Sequence, residues 1–476
     1  MRFDALKSCS GRDMLAYSSG EYSWSLLLNT IFAYAMIYYT DALGLKPYLA
    51  GIAMSLAIFW DAVFDPLMGH ISDNTRSRWG KRHPYMLVGG IGMIVFFYFL
   101  WYIPGWIRAD MNLLFWYLVV INLVQRTFFA VFVVPYIALS FQICTDYNGR
   151  TKIQSIRMIM NMAANFFGPA LAWRVFFTNN EQVRATHDPS NYLAMAGWFS
   201  AVAVVFLLLM LFGTRKYMRD SRTERQGTVR REGFLKDMKG VLTDRYSMYV
   251  FLFSFIIMLS VVLISSLQIY LYEHFLKLDA GNKSIAHGGT MVAFALGSAA
   301  AVFLVSRFQK KGAVIFASVL SIACNLILAV FFLSGLLKPS DSYTFPVFVF
   351  LNSMFWFGTG IMLPITTAMI ADVSELNEIK TGVNKDGTYS AMLSFAIKLA
   401  GSVATFASGL VLTWIGFNGQ TENSPEVLLR LCMIALLAGP AIAAIALFAI
   451  MKYPITKDFL EKFRQKKNDI VLQHEN

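Results

Sequence analysis

The sequence predicts an all-α membrane protein with twelve transmembrane helices in two pseudo-symmetric six-helix halves. Three observations carry that expectation. The 476 residues are 57% hydrophobic and only 15% charged, against roughly a quarter charged in soluble domains. The apolar residues gather in runs of about 20, the length at which an α-helix crosses the hydrocarbon core. One long polar connection, "TRKYMRDSRTERQGTVRREGFLKDMKGVLTD" at 214–244, leaves six runs on each side. A large soluble protein is the alternative. It would need nearly every helix to lack the polar face that surface helices carry.

Taken in order, the runs are 22–43, 47–70, 84–104, 113–142, 152–177 and 191–213, then 245–272, 285–305, 312–335, 344–370, 388–416 and 427–451. The expected organisation is a six-helix half at 1–213, a cytoplasmic middle loop at 214–244, a second six-helix half at 245–451 and a basic cytoplasmic tail at 452–476. The polar start, "MRFDALKSCSGRDML", has no short apolar core with a small-residue cleavage site, so the first span is expected to act as the insertion signal. Cys9, Cys144, Cys324 and Cys432 are scattered without CxxC spacing and point to neither a metal site nor a disulfide framework.

The net charge of +12 would suit nucleic acid, but its placement argues against that partner. Basic residues concentrate between spans 2 and 3 (Arg76, Arg78, Lys81, Arg82), between spans 6 and 7, between spans 8 and 9 (Arg307, Lys310, Lys311) and after Met451. These are alternate loops, hence one side of the membrane. The positive-inside rule makes that side cytoplasmic, with both termini on it. The two halves also share a faint repeat. "SRWGKR" (77–82) follows the second span and "SRFQKK" (306–311) the eighth. Together with the span count this resembles the major facilitator architecture, in which substrate lies near the midplane between repeats.

Charges inside the spans need a reason, because each costs at least ~2.5 kcal/mol at the bilayer centre. In "AIFWDAVFDP" (57–66), Asp61 and Asp65 are four residues apart and so share one helix face. Unanswered, they repel and one takes up a proton. A small cation, a proton or a basic partner on another helix each removes the difficulty, and carboxylate oxygens suit a hard cation. Lys398 lies in an otherwise apolar or small run from Met392 to Ala407 and needs a carboxylate or a wet cavity. Asp61 or Asp65 is the partner expected.

The surroundings carry a long pattern. "WDAVFDPLMGHISDNTRSRWGKRHPYMLVGG" (60–90) resembles the signature DAxxDPxxGxxxDxTRxRWGKxRP of the glycoside–pentoside–hexuronide:cation symporters. It meets that signature at Asp61, Asp65, Pro66, Gly69, Asp73, Thr75, Arg76, Arg78, Trp79, Gly80, Lys81 and Pro84, with His83 where an arginine is usual. "IYYTDALGL" (37–45), "VPYIALSFQICTDYNGRTKIQSIRM" (134–158) and "AMIADVSELNEIKTGVNKDGTYSAMLSFAIKLAGS" (368–402) are similar to other stretches of that family.

The resemblance implies a major facilitator carrier coupling sugar uptake to Na⁺, H⁺ or Li⁺. It implies Asp61 and Asp65 as the alkali-cation pair, Arg157 as a sugar contact, Lys398 as the coupling residue, and Asp73, Arg76 and Arg78 as a gating loop. Glu21 stands where many members open span 1 with Gly-Asp. No cofactor beyond the coupling ion is expected.

The chain also departs from the family. Its galactoside-binding aspartates of spans 1 and 4 are Ser25 and Val133 here, and Ile58 replaces a usual arginine. Conversely, Arg126 sits in the middle of span 4, two turns before Val133. A basic cavity of Arg126, Arg157 and Lys398 would grip a uronate, since guanidinium binds carboxylate bidentately; internal pairing of Arg126 with Glu21 or an Asp is the alternative. Among aromatics, Trp60 and Tyr389 are the favoured ring-stacking candidates.

Other classes fit less well. The six histidines are dispersed, and neither a nucleophile elbow nor a Gly-rich Lys-Ser/Thr loop occurs, which disfavours an enzyme or an ATP-driven pump. A non-transporting sugar sensor would be expected to lose the carboxylate pair or gain a long tail. A Na⁺-coupled lysophospholipid carrier remains open as a relative of the same family. The expectation is therefore a monomeric symporter of the cell membrane whose partners are a small carbohydrate and membrane lipid.

Overall fold

In hydrocarbon no water satisfies backbone N–H and C=O groups, so a chain that spans as single segments must do so as helix. The computed structural model describes residues 10–75, 77–143, 147–177, 185–220, 240–241, 243–381, 386–455 and 459, and among these residues there are helices and no strand. The long elements are α1 (Gly11–Ile37, passing into a π turn at Tyr38–Ala42), α2 (Pro47–Asn74), α3 (His83–Trp101) and α4 (Met111–Ile143). Next come α5 (Tyr147–Asn165, passing through a π turn at Phe166–Ala170 into Leu171–Val175) and α6 (Pro189–Gly213). The rest are α7 (Arg245–Tyr270, with a π turn at Leu271–Phe275), α8 (Ala280–Leu333), α9 (Thr344–Thr381), α10 (Asp386–Trp414) and α11 (Pro425–Met451).

Local sequence sets the ends. Ser10, Asp188 and Asp244 cap α1, α6 and α7 by accepting from the backbone N–H groups of Arg12, Ser190 and Tyr246, donors that the helix itself leaves orphaned. Pro47 and Pro189 open α2 and α6, where a missing N–H costs nothing.

Nine helices among the described residues are long and apolar enough to cross a membrane. The 54-residue α8 holds two of the twelve expected spans, broken at Gln309, whose φ of 57° is left-handed. The remaining two expected spans are α1 and α5. Both carry polar side chains where the other helices carry apolar ones, which is why length and composition pass over them.

The chain divides into two units. The first comprises the chain up to position 227 with Leu278–Gly288 and Thr405–Val427; the second comprises 228–277, 289–404 and the chain from 428 onward. Two short segments of the expected C-terminal half thus belong with the first unit. Their attachments are specific. Gln420 donates its amide to the Asp41 carbonyl, the Tyr48 N–H donates to Thr413 Oγ1 at 3.1 Å, and Lys283 Nζ lies 4.9 Å from the Trp173 ring. Asp41 also has His187 Nε2 at 3.9 Å.

Close helix crossings rest on glycine, as is general where helices pack in lipid. In the first unit a Cβ on Gly89 of α3 would stand 2.5 Å from the backbone N of Phe132 on α4. In the second, α8 and α9 cross on a reciprocal pair. A Cβ on Gly297 would stand 2.0 Å from the Phe357 carbonyl oxygen, and one on Gly360 2.1 Å from the Phe294 carbonyl oxygen. Backbone cannot retreat as a flexible side chain does. Gly297→Ala or Gly360→Ala is expected to cost about 1–3 kcal/mol as an overpacking change. The check is the melting temperature of the purified variant in detergent, which should fall clearly, whereas Gly105→Ala, with nothing within 4 Å, should melt as the parent does.

Candidate functional site

Two buried ion pairs dominate the interior of the first unit. On α1, Glu21, Ser25 and Asn29 follow at four-residue spacing, and on α5 so do Arg157, Asn161 and Asn165. Each set forms a stripe along one helix face. The stripes meet. Arg157 Nε donates to Glu21 Oε2 at 2.7 Å, and Arg157 Nη1 to Gln154 Oε1 at 2.8 Å. One turn further, Asn161 Nδ2 donates to Ser25 Oγ at 2.7 Å and to Glu21 Oε1 at 3.4 Å. Asn165 Nδ2 in turn donates to the carbonyl oxygen and the Oδ1 of Asn161, both at 3.3 Å.

Aromatic rings hold the pair from the α4 side. The Arg157 guanidinium carbon lies 5.2 Å from the centre of the Tyr136 ring, at cation–π range. Tyr17 of α1 stacks on Tyr136 with centroids 4.5 Å apart. Each of the two hydroxyls donates to the other residue's backbone carbonyl, at 2.8 and 3.2 Å.

The second pair joins α2 to α4. Arg126 Nη1 stands 3.9 Å from Asp61 Oδ2, with both groups buried. At that distance the contact is an ion pair without a hydrogen bond, worth roughly 4 kcal/mol of Coulomb attraction at an effective dielectric constant of about 20. Asp65, one turn along α2, also acts electrostatically on Arg126, and the guanidinium lies over the Phe32 ring at 5.1 Å.

These contacts change the expectation for the basic residues. The sequence reading sets a basic cavity of Arg126, Arg157 and Lys398, suited to a uronate, against internal pairing of Arg126 with Glu21 or an Asp. Each guanidinium has a carboxylate beside it, Asp61 for Arg126 and Glu21 for Arg157. Lys398 lies in the second unit, half-buried on α10.

Of the two aromatic candidates, Trp60 is exposed and Tyr389 is buried. Trp60 donates its indole N–H to Thr127 Oγ1 at 2.9 Å and stacks on Phe64 at 5.6 Å. Tyr389 is buried in the apolar core of the second unit, and its hydroxyl donates to Asp244 Oδ2 at 3.1 Å. It ties α10 to the cap of α7 rather than offering a ring face.

Of the expected gating loop, Arg78 lies exposed in the turn after α2. Arg76 and the side chain of Asp73 lie outside the described residues. The repeat of that loop in the second half shows what such a cluster does. Lys310 Nζ holds both carboxylate oxygens of Asp372 on α9, at 2.6 and 2.7 Å, and the Ala368 carbonyl at 3.1 Å. Lys311 Nζ holds the carbonyls of Met451 and Tyr453, at 2.6 and 3.0 Å, past the end of α11. Sequence reasoning missed Asp372, although it stands in the quoted "AMIADVSELNE". It missed Asn161 and Asn165 as well, whose signal was the i, i+4, i+8 spacing from Arg157.

Residues 16–457 match the family model described as MFS/sugar transport protein. The chain belongs to that family. It is 21% identical to the isoprimeverose transporter of Lactiplantibacillus pentosus, over 95% of this chain and 91% of the relative. It is 23% identical to the sodium-dependent lysophosphatidylcholine symporter 1-A of Danio rerio, over 93% and 85%. The backbone matches the crystal structure of a mutant nucleoside transporter, NupG, with a TM-score of 0.65 at 14% identity, over 93% of this chain and 99% of that one, which shows the fold. The protein is therefore an integral membrane protein of a transporter family and not an enzyme, and the resemblance to glycoside–pentoside–hexuronide:cation symporters agrees with that family.

Removing one member of a buried pair leaves the other as an uncompensated charge, at a typical cost of 3–5 kcal/mol, whereas removing both costs far less. Glu21→Gln is accordingly expected to lower the melting temperature more than the double variant Glu21→Gln/Arg157→Gln. Equal losses in the two would show that the pair is not coupled.

Proposed function

We propose that this protein imports a sugar or glycoside by cation-coupled symport with alternating access, and that Asp61 and Asp65 hold the coupling ion, Na⁺ or H⁺. One observation carries the reading: two carboxylates stand one turn apart within a membrane span, Asp61 buried and with the Arg126 guanidinium 3.9 Å away. Carboxylate oxygens are suitable ligands for a hard monovalent cation, and a carboxylate that takes up a proton serves H⁺ coupling equally. Glu21, Arg157 and Arg126, all of the first unit, are the substrate side in this reading, and Lys398 is the coupling residue by family resemblance.

The remaining features support the same reading. The alternating basic loops support an orientation with both termini in the cytoplasm, and the cell membrane is the membrane this reading places the protein in. A relative named an isoprimeverose transporter supports a small carbohydrate as cargo. The protein works as a monomer within the lipid, without nucleic acid.

Cation and sugar then raise each other's affinity by the same factor, since linkage is reciprocal. Sugars should raise the melting temperature of purified protein more in NaCl, or at lower pH, than in choline chloride at neutral pH. Ligand at a hundred times its Kd adds about 2.7 kcal/mol of stability. Asp65→Asn, which leaves the Arg126–Asp61 pair in place, should abolish the ion dependence and keep residual sugar binding. An undiminished Na⁺ or H⁺ effect in both Asp65→Asn and Asp61→Asn would sink the assignment. A shift with lysophosphatidylcholine and with no sugar would transfer the coupled mechanism to a lipid.

A further inference from the structure

We propose that the cargo is an uncharged polyhydroxy compound, and that its hydroxyls are read by the third, open rung of the α1–α5 ladder, Asn29 with Asn165. This deepens the sugar-symport reading and rests on it. The first two rungs, Glu21 with Arg157 and Ser25 with Asn161, are closed by hydrogen bonds of 2.7 Å each. They show that the two helices climb in the same direction and in register. Four residues on, the register brings Asn29 of α1 level with Asn165 of α5. No hydrogen bond joins these two, and the Nδ2 of Asn29 is buried without an acceptor.

A buried amide donor without an acceptor is costly and is rare in native structures. The adjoining residue has the complementary surplus. Asn165 gives its amide N–H to Asn161, which leaves its Oδ1 to accept. A donor beside an acceptor is what a hydroxyl requires, because it donates once and accepts twice. Water or a sugar hydroxyl completes such a rung. A carboxylate, which only accepts, leaves the Asn165 oxygen facing another oxygen. Asn29, Asn161 and Asn165 are each only half-buried, so a ligand that shifts the side chains covering the Asn29 Nδ2 can enter the rung. α5 also leaves regular α-helix immediately after Asn165, at the π turn Phe166–Ala170, a distortion frequent at functional sites.

The charges point the same way. A uronate approaching Arg157 meets Glu21, already 2.7 Å from the guanidinium, and one approaching Arg126 meets Asp61. Either approach crowds two carboxylates into one buried place, which disfavours the charged form of one of them. The basic residues of this interior thus act as counter-ions to its own acids, and the selective chemistry passes to the neutral amides.

The test uses the full-length protein in detergent with saturating NaCl and measures affinity for matched pairs: methyl glucoside against methyl glucuronide, and xylose against glucuronate, the same ring with a carboxylate added at C5. Neutral members should bind at least about tenfold more tightly than their uronate partners, and loss of one hydrogen bond, near 1.4 kcal/mol, should weaken the best neutral ligand about tenfold in Asn29→Leu and again in Asn165→Leu. Ligand-free Asn29→Leu should melt no lower than the parent, because the change removes an unsatisfied donor; a residue that only held the helices together would show the reverse. A uronate binding as tightly as its neutral partner would overturn the proposal, as would parental sugar affinity in both leucine variants. Binding of no sugar of either kind would overturn the sugar-symport reading, and the ladder's assignment with it.

Discussion

A charged side chain in the hydrocarbon core has to be answered by the protein, because no water is there to do it. The first unit answers within itself. Glu21 and Arg157 close on each other from α1 and α5, and Asp61 and Arg126 from α2 and α4. Much else in the unit follows from keeping those partners in place. Tyr17 and Tyr136 fix α1 against α4 through reciprocal hydroxyl–carbonyl bonds, and the same Tyr136 ring backs the Arg157 guanidinium. Gly89 brings α3 onto the backbone of α4 near Phe132, which fixes the helix that carries Arg126. The close packing that makes these helices rigid is what makes their charges affordable.

The two ion pairs differ in a way that matters for transport. Glu21 and Arg157 are hydrogen-bonded at 2.7 Å, and the carboxylate has a second donor in Asn161. Arg126 stands off from Asp61 at 3.9 Å and shares its field with Asp65. The first arrangement is a closed contact. The second is an ion pair at a separation beyond hydrogen-bond range.

The architecture was legible because lipid permits so few solutions. Span length, alternating basic loops and the polar divide at 214–244 sufficed for the all-α reading, and α8 differs from two expected spans only in continuing through Gln309. The candidate site was legible in part. Asp61, Asp65, Arg126, Arg157 and Glu21 stood out because charge is rare in such segments. Their partners did not, since pairing depends on which helix faces which, and a single chain without its packing does not say. The sequence left open whether Arg126 lines a basic cavity or pairs with an acid, and the packing sets Asp61 beside Arg126 and Glu21 beside Arg157. Trp60 and Tyr389 were chosen for position beside charged residues, yet an indole N–H or a phenol hydroxyl goes to whichever acceptor packing supplies, here Thr127 and Asp244. Asn161 and Asn165 were missed because asparagine in a span draws less notice than a charge, although their spacing from Arg157 placed them on its face.

The repeat between halves gives the same physics at the membrane surface. In "SRFQKK" the left-handed break at Gln309 frees two successive lysines to reach in different directions, Lys310 to Asp372 on α9 and Lys311 to the carbonyls beyond α11. The related "SRWGKR" has Gly80 at a φ of 80° one position before Lys81. Both copies thus put a left-handed residue directly ahead of their lysine. What the two halves share is therefore a backbone feature, a left-handed residue directly ahead of a lysine, and in the second half it accompanies lysines that bridge separate helix ends.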